Sequence, residues 1–211
     1  MDRLAEISSF LQKGRAKNVV TLVQEALDEG IEAEKILNEG LLSGMSVISD
    51  KFKNEEVFVP EVLVAARAMN KGVEVLQPYL TDEDNVSSGK AVLGTVKGDL
   101  HDIGKNLVKI MLEGKGIEVI DLGIDVPAEV FVEKAKEHDA KIICCSALLT
   151  TTMAEMQKVV DLVKEEQLDV KVMIGGAPVN QDFCDLIGAD YYTDDAASAA
   201  DVAKQILEGK I

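Results

Sequence analysis

The chain lacks tryptophan and is poor in aromatic residues (4%), histidine (two) and cysteine (three) over its 211 residues. So few aromatic side chains leave little surface on which bases could stack. Cys144, Cys145 and Cys184 form no C-x-x-C pair, and their spacing indicates no disulfide framework. The sequence also lacks an apolar run of the roughly 18 residues needed to span a membrane, and its N-terminus lacks the apolar core of a signal peptide. We therefore expect a soluble, reduced, cytoplasmic protein.

Basic residues are also scarce, because 22 Lys and Arg stand against 38 Asp and Glu, giving a net charge of −16. A chain this acidic repels phosphate backbones and anionic lipids, so we expect neither a nucleic-acid nor a membrane partner. The same charge suits steering toward basic patches on partner proteins. Apolar residues make up 47% of the chain, which is enough to bury substantial cores.

Residues 1–80 show apolar positions at helical spacing in four successive segments. The pattern predicts a four-helix bundle, with Gly14 and Gly30 ending the first two helices and Pro60 opening the fourth. The polar, aperiodic segment 81–90 is predicted to be a linker to a second domain, 91–211.

Residues 91–211 alternate short apolar runs with amphipathic stretches, which is typical of β-α repeats. Strands are predicted at 91–96, 118–122, 141–146, 171–175 and 191–193, and helices are predicted to begin near Ile103, Pro127, Thr151, Val179 and Ala196. We therefore expect an α/β, flavodoxin-like, doubly wound parallel sheet of order 2-1-3-4-5. Its ligand site should lie past the carboxyl ends of strands 1 and 3, which places His101 and Ser146 at one crevice.

The motif Asp99-x-His101-x-x-Gly104 follows the first predicted strand. An aspartate near a histidine can orient the imidazole as a metal ligand, and a glycine lets a large group approach the backbone. The alternative is a solvated loop histidine beside acidic residues. A conventional zinc site is not indicated, since no second histidine or cysteine lies nearby.

Two further motifs follow the third and fourth predicted strands. Residues 146–152 (Ser-Ala-Leu-Leu-Thr-Thr-Thr) carry four hydroxyls that could bind a polar ligand, although Thr150 or Thr151 could instead cap the next helix. No Gly-x-Ser-x-Gly turn surrounds Ser146, so a serine nucleophile is not expected. Gly175-Gly176 would let a planar group lie against bare backbone, or would simply form a turn.

Taken together, Asp99-x-His101-x-x-Gly104, Ser146-x-Leu148 and Gly175-Gly176 resemble the cobalamin-binding signature of corrinoid proteins. The segment 58–63 (Phe-Val-Pro-Glu-Val-Leu) resembles the cap domain of cobalamin-dependent methionine synthase and of the small corrinoid proteins of methanogens and acetogens. The resemblance covers nearly the whole chain. It implies a 1–80 cap domain, an 81–90 linker and a 91–211 Rossmann-like cobalamin-binding domain.

The resemblance implies that cobalamin binds with its own lower base displaced and with His101 as the axial cobalt ligand. Asp99 would hydrogen-bond that imidazole, and Thr152 stands where a family member has the serine that contacts this aspartate. The remaining positions with an implied cofactor contact fall into four groups: Asp102, Ile103 and Gly104 at the corrin edge; Ser146, Leu148 and Thr150 along the nucleotide tail; Gly175 and Gly176 against the benzimidazole; Phe58 and Met69 in the cap.

The implied function is that of a methyl carrier, not a complete enzyme. It would accept methyl from a substrate-specific methyltransferase, deliver it to a second methyltransferase acting on a C1 carrier or thiol, and need a corrinoid-reactivating protein. Alternatives are a cobalamin-dependent sensor, the small subunit of an adenosylcobalamin mutase, or a flavodoxin-like module without a corrinoid. The sensor would need an output module that the sequence does not show, and mutase subunits lack the helical cap.

Overall fold

The computed structural model describes residues 2–80 and 89–211. These residues divide into two compact units, one holding the N-terminal helices and the other holding a sheet with its helices; Gly114–Gly116 group with the first. Of the predicted linker 81–90, residues 81–88 lie outside the described residues. In the described ranges, no helix is both long enough and apolar enough to span a bilayer.

The first unit is built from four helical segments. They are α1 (Arg3–Gln12), α2 (Ala16–Asp28), a continuous segment of α3 (Ala33–Lys35), a π-helix (Ile36–Leu42) and α4 (Ser43–Lys53), and then α5 (Val59–Leu76), which a short 3₁₀ helix (Gln77–Tyr79) follows. The predicted apolar faces are buried, as Ile7, Val23 and Ile48 show with exposures of 1% or less. Gly14 and Gly30 follow the first two helices with positive φ, as expected.

The π-helix is a feature of this unit that periodicity did not predict. Seven residues keep a wider helical turn inside what reads as one long amphipathic helix. Ile36 and Leu41 are fully buried in it, so the apolar face continues through the change of pitch. Helical spacing alone does not distinguish the two pitches over so short a stretch.

The second unit is a five-stranded parallel sheet of order β2-β1-β3-β4-β5, as predicted. Its elements are β1 (Lys90–Thr95), α6 (Ile103–Gly114), β2 (Glu118–Asp121), α7 (Ala128–Glu137), β3 (Ile142–Ser146), α8 (Ala154–Glu165), β4 (Lys171–Gly175), α9 (Gln181–Ile187), β5 (Tyr191–Tyr192) and α10 (Ala196–Leu207). Residues 91–96 and 142–145 are buried throughout, which is expected of parallel strands with helices on both faces.

Several predicted boundaries were wrong by one to three residues. β1 begins at Lys90 and ends at Thr95, because Val96 leaves the ladder to form an isolated bridge with Val126. α8 begins at Ala154, three residues later than predicted, and α9 begins at Gln181, two later. The late start of α8 has a physical cause: the chain from Leu148 to Thr152 is hydrogen-bonded to Asp99.

Candidate functional site

The three predicted motifs meet at the carboxyl edge of the sheet. In the strand register, Thr95 of β1 is opposite Ser146 of β3, and Ser146 is opposite Gly175 of β4. The loops that follow these three strands therefore leave the sheet side by side. The contact is direct, since the Leu148 main-chain N–H donates to the Asp99 carboxylate at 2.7 Å.

Asp99 is the centre of this site. Its side chain is fully buried, and Oδ1 accepts from the main-chain N–H of His101 (3.1 Å) and faces the His101 ring. Oδ2 accepts from the main-chain N–H groups of Leu148 (2.7 Å) and Leu149 (3.1 Å), and it lies 2.9 Å from the Thr152 hydroxyl. Burial by itself would raise the pKa of Asp99, but hydrogen bonds from His101, Leu148 and Thr152 outweigh it and hold that pKa well below its usual range. The carboxylate is therefore a fixed negative charge.

His101 is held by this carboxylate in one tautomer. Its Nδ1 lies 2.7 Å from Asp99 Oδ1, and because an ionised carboxylate can only accept, Nδ1 must carry the proton. In the neutral imidazole, Nε2 then carries the lone pair, and no hydrogen bond to Nε2 is seen among residues 2–80 and 89–211. The side chain is 49% exposed. An imidazole oriented through one nitrogen, with the other nitrogen accessible, is the arrangement of a metal ligand.

Large apolar side chains lie exposed after β1, β2 and β3. They are Leu100 (65%), Ile103 (80%), Ile124 (42%), Leu148 (43%) and Leu149 (42%). Side chains of this kind are normally buried, and several together in the loops around one polar site indicate a ligand surface. The histidine is therefore set in apolar surroundings that suit a large, flat and largely apolar group.

The site glycines differ in the space around them. A β-carbon on Gly104 or on Gly175 would have no atom within 4 Å, so both leave open room beside the loops. A β-carbon on Gly176 would collide with the Ala147 carbonyl oxygen, and φ is +130° there. Gly176 is thus required by the contact between the β3 and β4 loops, whereas Gly104 and Gly175 border free space.

The hydroxyl residues after β3 also differ from one another. Ser146 is half-buried at the end of β3, while Thr150 and Thr151 are exposed. Neither threonine caps α8, because Met153 precedes that helix and no side chain makes a capping bond; that alternative was wrong. The Thr152 hydroxyl proton has two acceptors at 2.9 Å, the Leu149 carbonyl and Asp99, and the carboxylate is the stronger.

The other predicted residues are placed as follows. Asp102 is exposed just before α6, where its carbonyl oxygen accepts from the Asn106 main-chain N–H at 2.8 Å. In the helical unit, Phe58 precedes α5 and is 65% exposed, whereas Met69 is 3% exposed. Phe58 therefore presents its ring to solvent, and Met69 is an interior residue of this conformation.

Sequence reasoning missed two groups near His101. Thr95 is fully buried, and its hydroxyl donates to the His101 carbonyl oxygen at 2.8 Å; a polar residue ending an apolar run was the available signal. Lys105 is 3% exposed and donates to Asp121 Oδ1 at 2.7 Å. No sequence signal marked it, since a helical lysine is usually solvated.

Among the described residues, no three His, Cys, Asp or Glu side chains are grouped so as to hold a metal ion. The cysteines of β3 are unsuited to ligation, because burial raises the pKa of the Cys144 thiol to about 12 and that of Cys145 well above its usual value. His101 thus offers one ligand from the protein. One ligand is sufficient for a metal that a macrocycle already holds, and the open glycines and exposed apolar side chains fit such a macrocycle.

Comparison with known proteins agrees with this geometry. The B12 binding domain family matches residues 89–202, and a second family of the same description matches residues 4–77. A corrinoid protein of Desulfitobacterium hafniense strain Y51 is 41% identical over 98% of both chains. Dimethylamine corrinoid protein 2 of Methanosarcina acetivorans is 42% identical over 98% of this chain and 97% of its own.

Two solved structures share the fold over nearly the whole chain. The methanol:cobalamin methyltransferase complex MtaBC from Methanosarcina barkeri matches with a TM-score of 0.91 and 31% identity, covering 99% of this chain and 80% of that chain. A cobalamin-binding protein from Desulfitobacterium hafniense DCB-2 matches with a TM-score of 0.78 and 32% identity, covering 96% and 97%. The sequence comparisons and the structure comparisons agree over both domains. The chain therefore belongs to the family of B12-binding corrinoid proteins.

Proposed function

We propose that this protein is a corrinoid methyl carrier that binds cobalamin with His101 as the axial cobalt ligand. The observation that carries the proposal is the His101 ring itself: Nδ1 is fixed on a buried carboxylate, and the side chain is 49% exposed at the carboxyl edge of the sheet. Cobalamin supplies a cobalt centre that can accept and release a methyl group, and the protein supplies orientation and shielding.

Asp99 and Thr152 would set the orientation of that ligand. Asp99 holds the imidazole through Nδ1, which would make Nε2 a more basic ligand nitrogen. Thr152 and two main-chain N–H groups hold Asp99 from the other side.

The nucleotide tail would run along the carboxyl ends of β3 and β4. Ser146, Leu148 and Thr150 border this path, and Gly175 has open space beside it. Gly176 would act indirectly, by allowing the β3 and β4 loops to approach each other. Asp102, Ile103 and Gly104 would lie at the corrin edge, with the exposed Ile103 side chain gaining an apolar partner.

The division into a 1–80 cap domain, an 81–90 linker and a 91–211 cobalamin-binding domain forms part of the proposal. Phe58 and Leu63, at 65% and 47% exposure, are two exposed apolar side chains of this unit that could shield the methyl group. Met69 is buried, so a role for it at the cap surface requires a rearrangement of α5. Replacing Phe58 with alanine should speed photolysis of bound methylcobalamin, and an unchanged rate would remove Phe58 from this role.

Partners follow from the relatives. Their names specify dimethylamine, trimethylamine and monomethylamine corrinoid proteins, and one structure is a methanol:cobalamin methyltransferase complex. We propose a substrate-specific methyltransferase as donor, a second methyltransferase acting on a C1 carrier or thiol as acceptor, and a corrinoid-reactivating protein.

We also propose a cytoplasmic location, because a reducing compartment would keep Cys144, Cys145 and Cys184 as free thiols.

The decisive experiment uses isotope labelling. The purified apoprotein is loaded with cobalamin, reduced to the cobalt(II) state and examined by EPR, with the protein either unlabelled or uniformly labelled with ¹⁵N. An axial nitrogen from the protein gives a superhyperfine triplet that becomes a doublet on labelling. A triplet in both samples would mean that the cofactor keeps its own base, and failure to bind a corrinoid would end the proposal.

A further inference from the structure

We infer that Thr95 is a positioning residue for His101: its buried hydroxyl holds the His101 main-chain carbonyl and thereby fixes the axial ligand. The inference rests on the proposed function, because it concerns the residue that would bind cobalt. It adds a contact on the side of His101 that Asp99 does not reach.

A side-chain hydrogen bond from Thr95 closes the loop that leads from β1 to His101. Thr95 is the last residue of β1, and its Oγ1 donates to the His101 carbonyl oxygen at 2.8 Å across the six residues that lead to the motif. The main chain of Thr95 is engaged elsewhere, since its N–H donates to the Gly123 carbonyl (2.9 Å) and its carbonyl accepts from the Val126 N–H (3.0 Å). The side chain alone connects Thr95 to the histidine loop.

The residue type at this position supports the inference. Every other residue from Ala91 to Val96 is apolar, and all six are buried. Valine has nearly the shape of threonine and suits a buried strand, whereas a buried hydroxyl is costly unless it has a partner. The partner of Thr95 Oγ1 is the His101 carbonyl oxygen. The contact with His101 therefore accounts for a hydroxyl at this position, whereas packing in the strand would be met equally well by valine.

His101 depends on such contacts because packing does not hold it. Its side chain is 49% exposed, so its orientation must come from hydrogen bonds. Asp99 Oδ1 binds the His101 main-chain N–H and Nδ1, and Thr95 binds the carbonyl. Without the Thr95 hydroxyl, Asp99 alone holds the backbone at His101, so the whole loop can shift and carry the ring away from the orientation that ligation requires.

The test compares Thr95→Val, Thr95→Ser and a matched control, Thr193→Val, which removes a threonine hydroxyl that contacts the Asp195 carbonyl beyond β5. Hydrogen exchange of the segment 97–102 is measured in the apoprotein, and the ratio of histidine-ligated to unligated cobalt(II) is measured by EPR in the loaded protein. For Thr95→Val we expect exchange about fivefold faster and a ligation ratio about fivefold lower, the usual effect of one neutral hydrogen bond. Thr95→Ser and Thr193→Val should stay within about twofold of wild type.

Three outcomes would overturn the inference: wild-type exchange and ligation in Thr95→Val, equal losses in Thr95→Ser, or equal losses in Thr193→Val. A thermal melt of each apoprotein separates positioning from unfolding, and Thr95→Ala replaces the valine variant should the latter fail to fold. If wild-type protein shows no protein nitrogen on cobalt, the proposed function fails, and faster exchange in Thr95→Val would then mark Thr95 as a loop anchor only.

Discussion

The carbonyl oxygen of Ala147 occupies the place where a β-carbon of Gly176 would stand. The adjacent Gly175 has no atom within 4 Å of the corresponding position. Two consecutive glycines therefore serve different purposes: one lets two loops touch, and the other leaves room beside them. This difference separates stability from cofactor binding in a way that experiment can check.

Gly176→Ala should unfold the apoprotein or lower its free energy of unfolding by about 3 kcal/mol or more, because the new side chain meets backbone and φ is +130°. Gly175→Ala should fold with a stability within about 1 kcal/mol of wild type, yet bind cobalamin at least about tenfold more weakly. Urea unfolding of the apoproteins and absorbance titration with hydroxocobalamin measure the two effects. Equal stability losses in both variants would contradict this assignment.

The two histidines of the chain provide a matched pair. His101→Ala should bind cobalamin without the protein nitrogen seen by cobalt(II) EPR, because His101 Nε2 is the ligand we propose. His138→Ala should keep the splitting, since His138 lies between the end of α7 and the start of β3, at the opposite edge of the parallel sheet from the motif loops. Loss of the splitting in the His138 variant, or its survival in the His101 variant, would assign the ligand differently.

Thr152→Val should lower the free energy of unfolding of the apoprotein by about 1–2 kcal/mol, because a buried carboxylate loses one of its donors. Thr152→Ser should recover most of that loss. Thr151→Val, at an exposed position next to it, should change stability by less than about 0.5 kcal/mol. Chemical denaturation of the three variants at pH 7 measures these differences. If Thr152→Ser were as unstable as Thr152→Val, the methyl group of Thr152 would matter more than its hydroxyl.

Lys105 and Lys109 both contact Asp121, but Lys105 is buried at 2.7 Å and Lys109 is one-third exposed at 3.3 Å. Lys105→Met should therefore cost about 2–3 kcal/mol at pH 7 and Lys109→Met less than about 1 kcal/mol. Urea unfolding of both apoprotein variants beside wild type provides the comparison. Equal costs would show that burial of the ammonium group is unimportant here.

The Asp121 carboxylate should also give this pair a pH dependence. Burial acts to raise the pKa of Asp121. Hydrogen bonds from Lys105, the Gly123 main-chain N–H and Lys109 outweigh burial, so the pKa is lowered overall. The resulting stabilisation is present above the unfolded-state pKa of about 3.9 and is lost as the pH falls through the folded-state pKa. Without Lys105 that pKa rises, so the stability difference between wild type and Lys105→Met should shrink from pH 5 downward. A difference that grows in acid would contradict the sign.

Much of the fold was predictable because its signals are local. Helical spacing in 1–80 and the alternation of buried runs with amphipathic helices in 91–211 gave the two kinds of unit, and the sheet order was confirmed. The start of α8 was missed because Leu148, Leu149 and Thr152 bind a carboxylate about fifty residues earlier. A long-range contact of that kind leaves no local pattern.

The sequence by itself determined which residues could form the site, since Asp99-x-His101-x-x-Gly104 and the motifs after β3 and β4 had to emerge at one edge of a parallel sheet. Only the tertiary structure decided how they act. It ionised Asp99 by surrounding it with donors, gave Gly175 and Gly176 different tasks, and turned the Thr95 hydroxyl toward His101. The physical reason is that hydrogen-bond partners and free space are set by distances between loops, and residue type along the chain does not encode those distances.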